Sequence, residues 1–147
     1  MSADGVQAQI HVGDRFTQVV VDDLTRTQLA MYAGASGDYH PFHHDDVFAR
    51  AKGYPGVFAH GMLTMGLTGK LLTDVFGDGA LVRYAADFTA TVWPGDTLTA
   101  TATVDTIEVL SQHDRRAHLR IETLDQDHRV VLRGSATVRL HVGDGEG

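Results

Sequence analysis

The sequence predicts an α+β domain in which an antiparallel sheet of about five strands curls around one buried helix. Three observations predict it. Between Leu98 and Leu140 apolar and polar residues alternate in steps of two, as on a sheet with one wet face. Ahead of them, His60 to Phe76 carries apolar residues around most of its circumference, the pattern of a helix buried on most sides. The breaks in the alternating half are short (Pro94-Gly95-Asp96, Ser111 to Asp114, Asp125 to His128), so consecutive strands are expected to pair antiparallel.

Taken in order, Asp14 to Val21 suits a strand, and Asp22 or Asp23 is placed to cap a helix over Thr25 to Ala35. Leu24, Ala30, Tyr32 and Ala33 are available for its packing, and Gly34 and Gly37 bring it to an end. A polar loop follows from Asp38 to His44, where Pro41 lacks an amide proton and biases His40 away from helix. Asp45 or Asp46 then caps a short helix, Val47 to Lys52, stopped by Gly53, Pro55 and Gly56. The buried helix contains Gly61, Gly66 and Gly69, although an interior glycine costs about 1 kcal/mol relative to alanine. Close approach of another backbone would justify that cost. Ala80 to Thr89 is read as a further strand, completing the sheet.

With 147 residues, 43% of them hydrophobic, the chain fits one domain, expected over residues 9–142 with loose tails at 1–8 and 143–147. Its formal charge of −7 argues against a general attraction to nucleic acid or to an anionic membrane. No run approaches the roughly 20 apolar residues of a membrane helix, and the start lacks a secretory pattern, so a cytoplasmic protein is expected. There are no cysteines, which excludes disulfides, a thiol nucleophile and thiolate metal sites. Strand edges on so small a domain invite pairing between subunits, so a dimer is expected.

Four of the nine histidines, His40, His43, His44 and His60, fall in one short window, and that is where chemistry is sought. Asp38 and His43 lie across a proline in a loop, which lets the two side chains meet. A carboxylate and an imidazole around one water orient it and exchange its proton near neutral pH. The same residues are also ordinary turn formers. At the entrance of the buried helix, Phe58-Ala59-His60-Gly61-Met62 puts an unobstructed Gly61 amide at the positive end of the helix dipole, where a developing oxyanion would bind. Gly61 equally permits a tight entry, with His60 as cap or core residue. The His and Asp spacing matches no strong zinc motif, so no metal and no other cofactor is expected. No G-x-S-x-G elbow or phosphate-binding loop is present.

Three stretches, Tyr32 to Asp46 (YAGASGDYHPFHHDD), Ala59 to Leu63 (AHGML) and Phe88 to Leu98 (FTATVWPGDTL), resemble the MaoC-like dehydratases, or R-specific enoyl-CoA hydratases, of the hot-dog superfamily. The resemblance implies a hot-dog fold and interconversion of trans-2-enoyl and (R)-3-hydroxyacyl thioesters of CoA or acyl carrier protein. It implies that Asp38 and His43 hold the water and that Gly61 supplies the oxyanion amide. His40, Phe58, His60 and Met62, neighbours of those three in sequence, are the expected substrate contacts. It also implies a homodimer, or a heterodimer with another hot-dog subunit as in small mycobacterial-type dehydratases. A non-catalytic hot-dog subunit and a hot-dog thioesterase are the alternatives. The sequence departs from the family at His40, where asparagine is usual, at Thr91, where proline is, and at Phe58, where a branched aliphatic residue is. Phe58 would change the width of the acyl pocket.

Overall fold

Residues 9–140 are described by a computed structural model; the expected tails at 1–8 and 143–147 and the expected limit at 142 lie outside the described residues. The described elements are β1 (Arg15–Val21), α1 (Arg26–Ser36), a 3-10 turn at Pro41–His43, α2 (Asp46–Ala51), α3 (Gly61–Phe76), β2 (Leu81–Phe88), β3 (Leu98–Val109), β4 (Arg115–Leu124) and β5 (Val130–Leu140). All five strands form one antiparallel sheet in the order β1-β3-β4-β5-β2. The long helix α3 lies against it, in the hot-dog arrangement expected.

One expectation fails in an informative way. The strands flanking Pro94-Gly95-Asp96 do not pair with each other: β2 pairs with β5 and β3 with β1. The turn serves another element. Gly95 N–H donates to the Leu24 carbonyl at 2.7 Å and Leu24 N–H donates to the Asp96 carbonyl at 2.9 Å, so the turn is tied to the approach to α1. The buried Asp96 carboxylate takes the Trp93 amide at 2.8 Å and stiffens the turn from within. Segment 89–97 is thereby a crossover between the two sides of the sheet. The hairpins β3–β4 and β4–β5 form as their short breaks imply.

The sheet can hold a helix because its inner face is small. Ala100, Ala102, Ala117 and Ala136 are all buried under α3, which sends Leu71, Leu72 and Phe76 into the core. Phe76 meets the edge of Phe16 on β1, ring centroids 5.5 Å apart. Thr68 and Thr123 of β4 share a buried hydrogen bond of 2.7 Å, and the Tyr84 hydroxyl of β2 donates to the Met65 carbonyl at 2.8 Å. Only a narrow stripe of α3 is exposed, at Met62, Gly66, Lys70 and Asp74, one residue per turn.

The glycines of α3 have a different reason from the one expected. A Cβ on Gly61 would lie 2.7 Å from the Phe88 ring, and one on Gly69 would lie 3.3 Å from the Tyr84 ring. Two aromatic rings of β2, rather than another backbone, occupy the space. Gly66 faces open space. A true backbone approach occurs at Gly134, where a Cβ would clash with the Ala85 carbonyl oxygen across the β5–β2 pair.

The helix caps also differ in detail. Thr25, not Asp22 or Asp23, caps α1 through a reciprocal box with Gln28, because Asp22 is engaged by the Thr97 hydroxyl at 2.8 Å. Leu29 and Ala33 face the core from α1, while Ala30 is exposed. Asp45 caps α2 by accepting the Phe48 amide at 3.0 Å. Asp46 instead binds Arg26 at 2.9 Å and the Val57 amide at 3.0 Å, clamping α2 to its neighbours.

These contacts predict opposite effects for two substitutions. Gly134→Ala should lower unfolding free energy by about 1–3 kcal/mol, the range for overpacking a tight site. Gly66→Ala should raise it by up to about 1 kcal/mol through helix propensity. Urea unfolding of both variants checks the pair.

Candidate active site

The candidate site is built by the chain between α1 and α2 and by the first turn of α3. Helix α1 ends at Gly37, whose φ of 75° is left-handed and whose amide closes on the Ala33 carbonyl at 3.0 Å. The Asp38 carboxylate then accepts the His40 amide at 3.2 Å through Oδ1, an Asx turn that leaves Oδ2 free to face inward. Pro41 starts the 3-10 turn, and the His43 amide donates to the His40 carbonyl at 3.0 Å. The chain has folded back on itself. His43 Nε2 stands 3.9 Å from Asp38 Oδ2, longer than a direct hydrogen bond.

The state of His43 follows from its other nitrogen. Phe58 offers a carbonyl oxygen 2.6 Å from Nδ1, and a carbonyl only accepts, so Nδ1 carries the proton and the neutral ring keeps its lone pair on Nε2. The His43 side chain is 11% exposed while that of Asp38 is 54% exposed, so one partner is enclosed and the other meets solvent. Burial is the main reason the His43 pKa lies below its ordinary 6.5; the bond to Phe58 opposes it, His60 adds to the lowering, Asp38 opposes it and His40 adds slightly.

His60 lies directly behind. It is the residue before α3, is 2% exposed, and stacks on His43 with centroids 3.6 Å apart and planes 21° apart. Its Nε2–H donates to the Asp38 backbone carbonyl at 3.0 Å, and its Nδ1 has no partner. Tyr32 of α1 meets it edge-on at 4.9 Å. As at the start of any α-helix, the amides of Gly61 and Met62 lack an acceptor within α3, and unlike α1 and α2 this helix has no side-chain cap. Gly61 opens on a cavity of about 400 Å³ that Phe58, Thr64, Phe88, Val92 and Val131 also line.

Of the residues singled out from sequence, Asp38, His43 and His60 are in mutual contact, and Phe58 links them to the cavity that Gly61 opens on. His40 is exposed; its Nδ1 accepts the Phe42 amide at 3.3 Å and its ring lies 6.4 Å from that of His43. Met62 does not line the cavity and is 56% exposed. Phe58 is wedged among Phe42, Tyr54 and Trp93, so it is wall and core at once. Thr64, Phe88 and Val131 were not anticipated at the site. Phe88 opens the stretch FTATVWPGDTL, but nothing in that string says that its ring covers Gly61.

Asp38, His43 and His60 each offer a ligand atom within 4.8 Å of the others, so a metal must be considered. The ring geometry opposes it. Imidazole lone pairs lie in the ring plane, so two stacked rings direct theirs side by side rather than at one point. In addition, His60 Nε2 is committed to the Asp38 carbonyl. A larger cavity, about 580 Å³, lies on the outer face of the sheet among Arg15, Arg120, Glu122 and Arg133. There Arg120 pairs with Asp105 and Arg133 with Glu122.

Residues 7–123 match the family model described as MaoC like domain. An enoyl-CoA hydratase of Mycobacterium tuberculosis is 34% identical over 110 residues, which cover 73% of this chain and 36% of that protein. The peroxisomal enoyl-CoA hydratase 2 of Arabidopsis thaliana is 30% identical over 106 residues, covering 70% of this chain and 34% of that one. The chain thus spans about a third of the length of these curated relatives. Among solved structures, an (R)-hydratase from A. caviae involved in PHA biosynthesis superposes with a TM-score of 0.78 at 26% identity, covering 90% of this chain and 98% of that chain. No helix among the described residues is long and apolar enough to cross a membrane.

The Phe58 contact predicts a titration. Nitrogen-15 NMR should find neutral His43 protonated on Nδ1, with a midpoint below 6.5. A folded-state pKa below the unfolded one stabilises the fold fully above 6.5, and that contribution is lost as pH falls through 6.5 toward the folded value. Urea unfolding across that interval checks the sign.

Proposed function

This chain belongs to the MaoC-like domain family, and from that membership we propose that it adds water to trans-2-enoyl thioesters and removes it from (R)-3-hydroxyacyl thioesters. One observation carries the reading: with Nδ1 spent on Phe58, the His43 lone pair on Nε2 faces the Asp38 carboxylate across 3.9 Å, a gap that one water can bridge. The thioester carbonyl accepts the Gly61 N–H, and its carbon chain enters the cavity beside Phe58 and Phe88. The water is held between Asp38 Oδ2 and His43 Nε2. As its oxygen bonds to the β-carbon, a proton passes to the Asp38–His43 pair, and the electrons of the double bond move toward the carbonyl. The resulting enolate is stabilised at the helix terminus. The proton then returns to the α-carbon from the same side, so the sum is addition of one water. Dehydration is the same path reversed.

An exposed, unpaired edge supports the expected assembly. Strand β2 pairs only with β5, and Val82 and Phe88 on it are 47% and 48% exposed. The proposed unit is accordingly a homodimer, or a heterodimer with another hot-dog subunit, acting on CoA or acyl-carrier-protein thioesters. A cytoplasmic setting agrees with the absence of cysteine.

Asp38→Asn and His43→Ala should each lower turnover of crotonyl-CoA by about 100-fold or more while the fold survives. Loss of the enoyl absorbance, followed beside a thiol reagent, separates hydration from thioester cleavage. Free CoA released in step with enoyl loss would make the protein a thioesterase. Hydration that appears only on mixing with a second subunit, and survives Asp38→Asn, would make it a supporting chain.

A further inference from the structure

We propose that His60 is a positioning residue for this reaction, fixing Asp38 through its backbone and His43 through its ring so that both side chains stay aimed at one point. The inference rests on the hydratase reading above, but it concerns a residue whose 2% exposure removes it from direct substrate contact.

His60 Nδ1 is a buried acceptor without a donor, a feature that folded proteins largely avoid. A leucine at this position would carry no such orphan. What the imidazole supplies instead is its other nitrogen: Nε2–H reaches the Asp38 carbonyl at 3.0 Å, across a sequence gap from one end of the loop to the start of α3. Asp38 otherwise has only local bonds, its amide to Ser36 Oγ at 3.2 Å and its Oδ1 to the His40 amide at 3.2 Å. The bond from His60 ties Asp38 itself to the start of the buried helix, beside the bonds that join Phe42 and His43 to Phe58.

The same ring limits His43. It lies flat against it at 3.6 Å, while the Phe58 carbonyl holds the edge at Nδ1, so turning the His43 ring would break the bond and tilting it would break the stack. Tyr32 pins His60 from the α1 side. The groups that face His43 are Asp38 and His40 from the loop, the Phe58 carbonyl from the segment before α3, and His60 itself; of the titratable ones, His60 and His40 oppose a positive charge on His43 and Asp38 favours it. His60 therefore acts on both members of the pair through different atoms, and two substitutions can separate the effects. Glutamine keeps an N–H donor near the Nε2 position and loses the ring. Phenylalanine keeps a ring and loses the donor.

The test compares wild type, His60→Gln and His60→Phe by crotonyl-CoA kinetics, nitrogen-15 titration of His43 and thermal melting. His60→Phe should lose about tenfold or more in kcat with KM changed less than about threefold, because the turn carrying Asp38 is released. His60→Gln should fall between wild type and His60→Phe in kcat at pH 8, because the tether to Asp38 is kept and the stack on His43 is lost, and its His43 midpoint and the acid limb of activity should move up toward 6.5. Full kcat in His60→Phe, or equal loss in both variants with an unmoved His43 midpoint, would overturn the proposal. Wild-type protein without hydratase activity would sink the functional reading alone, since the titration still reports on the stack. Should neither variant fold, the wild-type spectrum decides: neutral His60 protonated on Nε2 supports the tether to Asp38, and protonation on Nδ1 removes it.

Discussion

The hydrogen bond from His43 to the Phe58 carbonyl is the constraint on which the site depends. It selects the tautomer, so that the nitrogen facing Asp38 is a lone pair rather than a donor. It also joins the loop after α1 to the segment leading into α3, two pieces of chain that share no regular hydrogen-bonded ladder. A neutral imidazole in a poorly hydrated place is a usable base near neutral pH because its charged form is disfavoured. The opposing carboxylate is left in contact with solvent.

The fold makes this arrangement possible by putting a helix start where most helices would put a cap. Thr25 and Asp45 accept the third amides of α1 and α2, those of Gln28 and Phe48, with side-chain oxygens. At α3 the corresponding position holds an imidazole turned away toward Asp38; the third amide, that of Leu63, closes on the His60 carbonyl, and no capping side chain bonds the first turn. Small residues on the sheet let the helix lie deep, and its first residue, Gly61, opens on a cavity.

Much of this was legible in the sequence because it is periodic. The alternation through Thr99, Ala100, Thr101 and Ala102 specifies a half-buried strand whatever its partner, and the apolar run of α3 specifies a buried helix. The loop from Asp38 to His43 was legible through Pro41, which biases His40 away from helix and so allows the two side chains to meet. Strand order was not legible, since the Pro94-Gly95-Asp96 turn reads as a hairpin until its amides are found bound to Leu24. Nor was the reason for Gly61, because the Phe88 ring that excludes a side chain there lies far along the chain. His60 shows the limit most clearly. Its neighbours suggested contact with a ligand, whereas its burial and its bond to a backbone carbonyl follow from tertiary packing that no local pattern encodes.

The position of β2 at the sheet margin bears on how the molecule assembles. Strands β3, β4 and β5 meet through short reversals, so their pairing closes small loops at little entropic expense. By contrast β2 must wait for β5, which is synthesised well after it, and only then does Phe88 come to rest over the start of α3. Contacts between distant parts of a chain are slow to form. The cavity beside Gly61 therefore depends on a pairing between distant parts of the chain, because the Phe88 wall is set by β2 lying against β5.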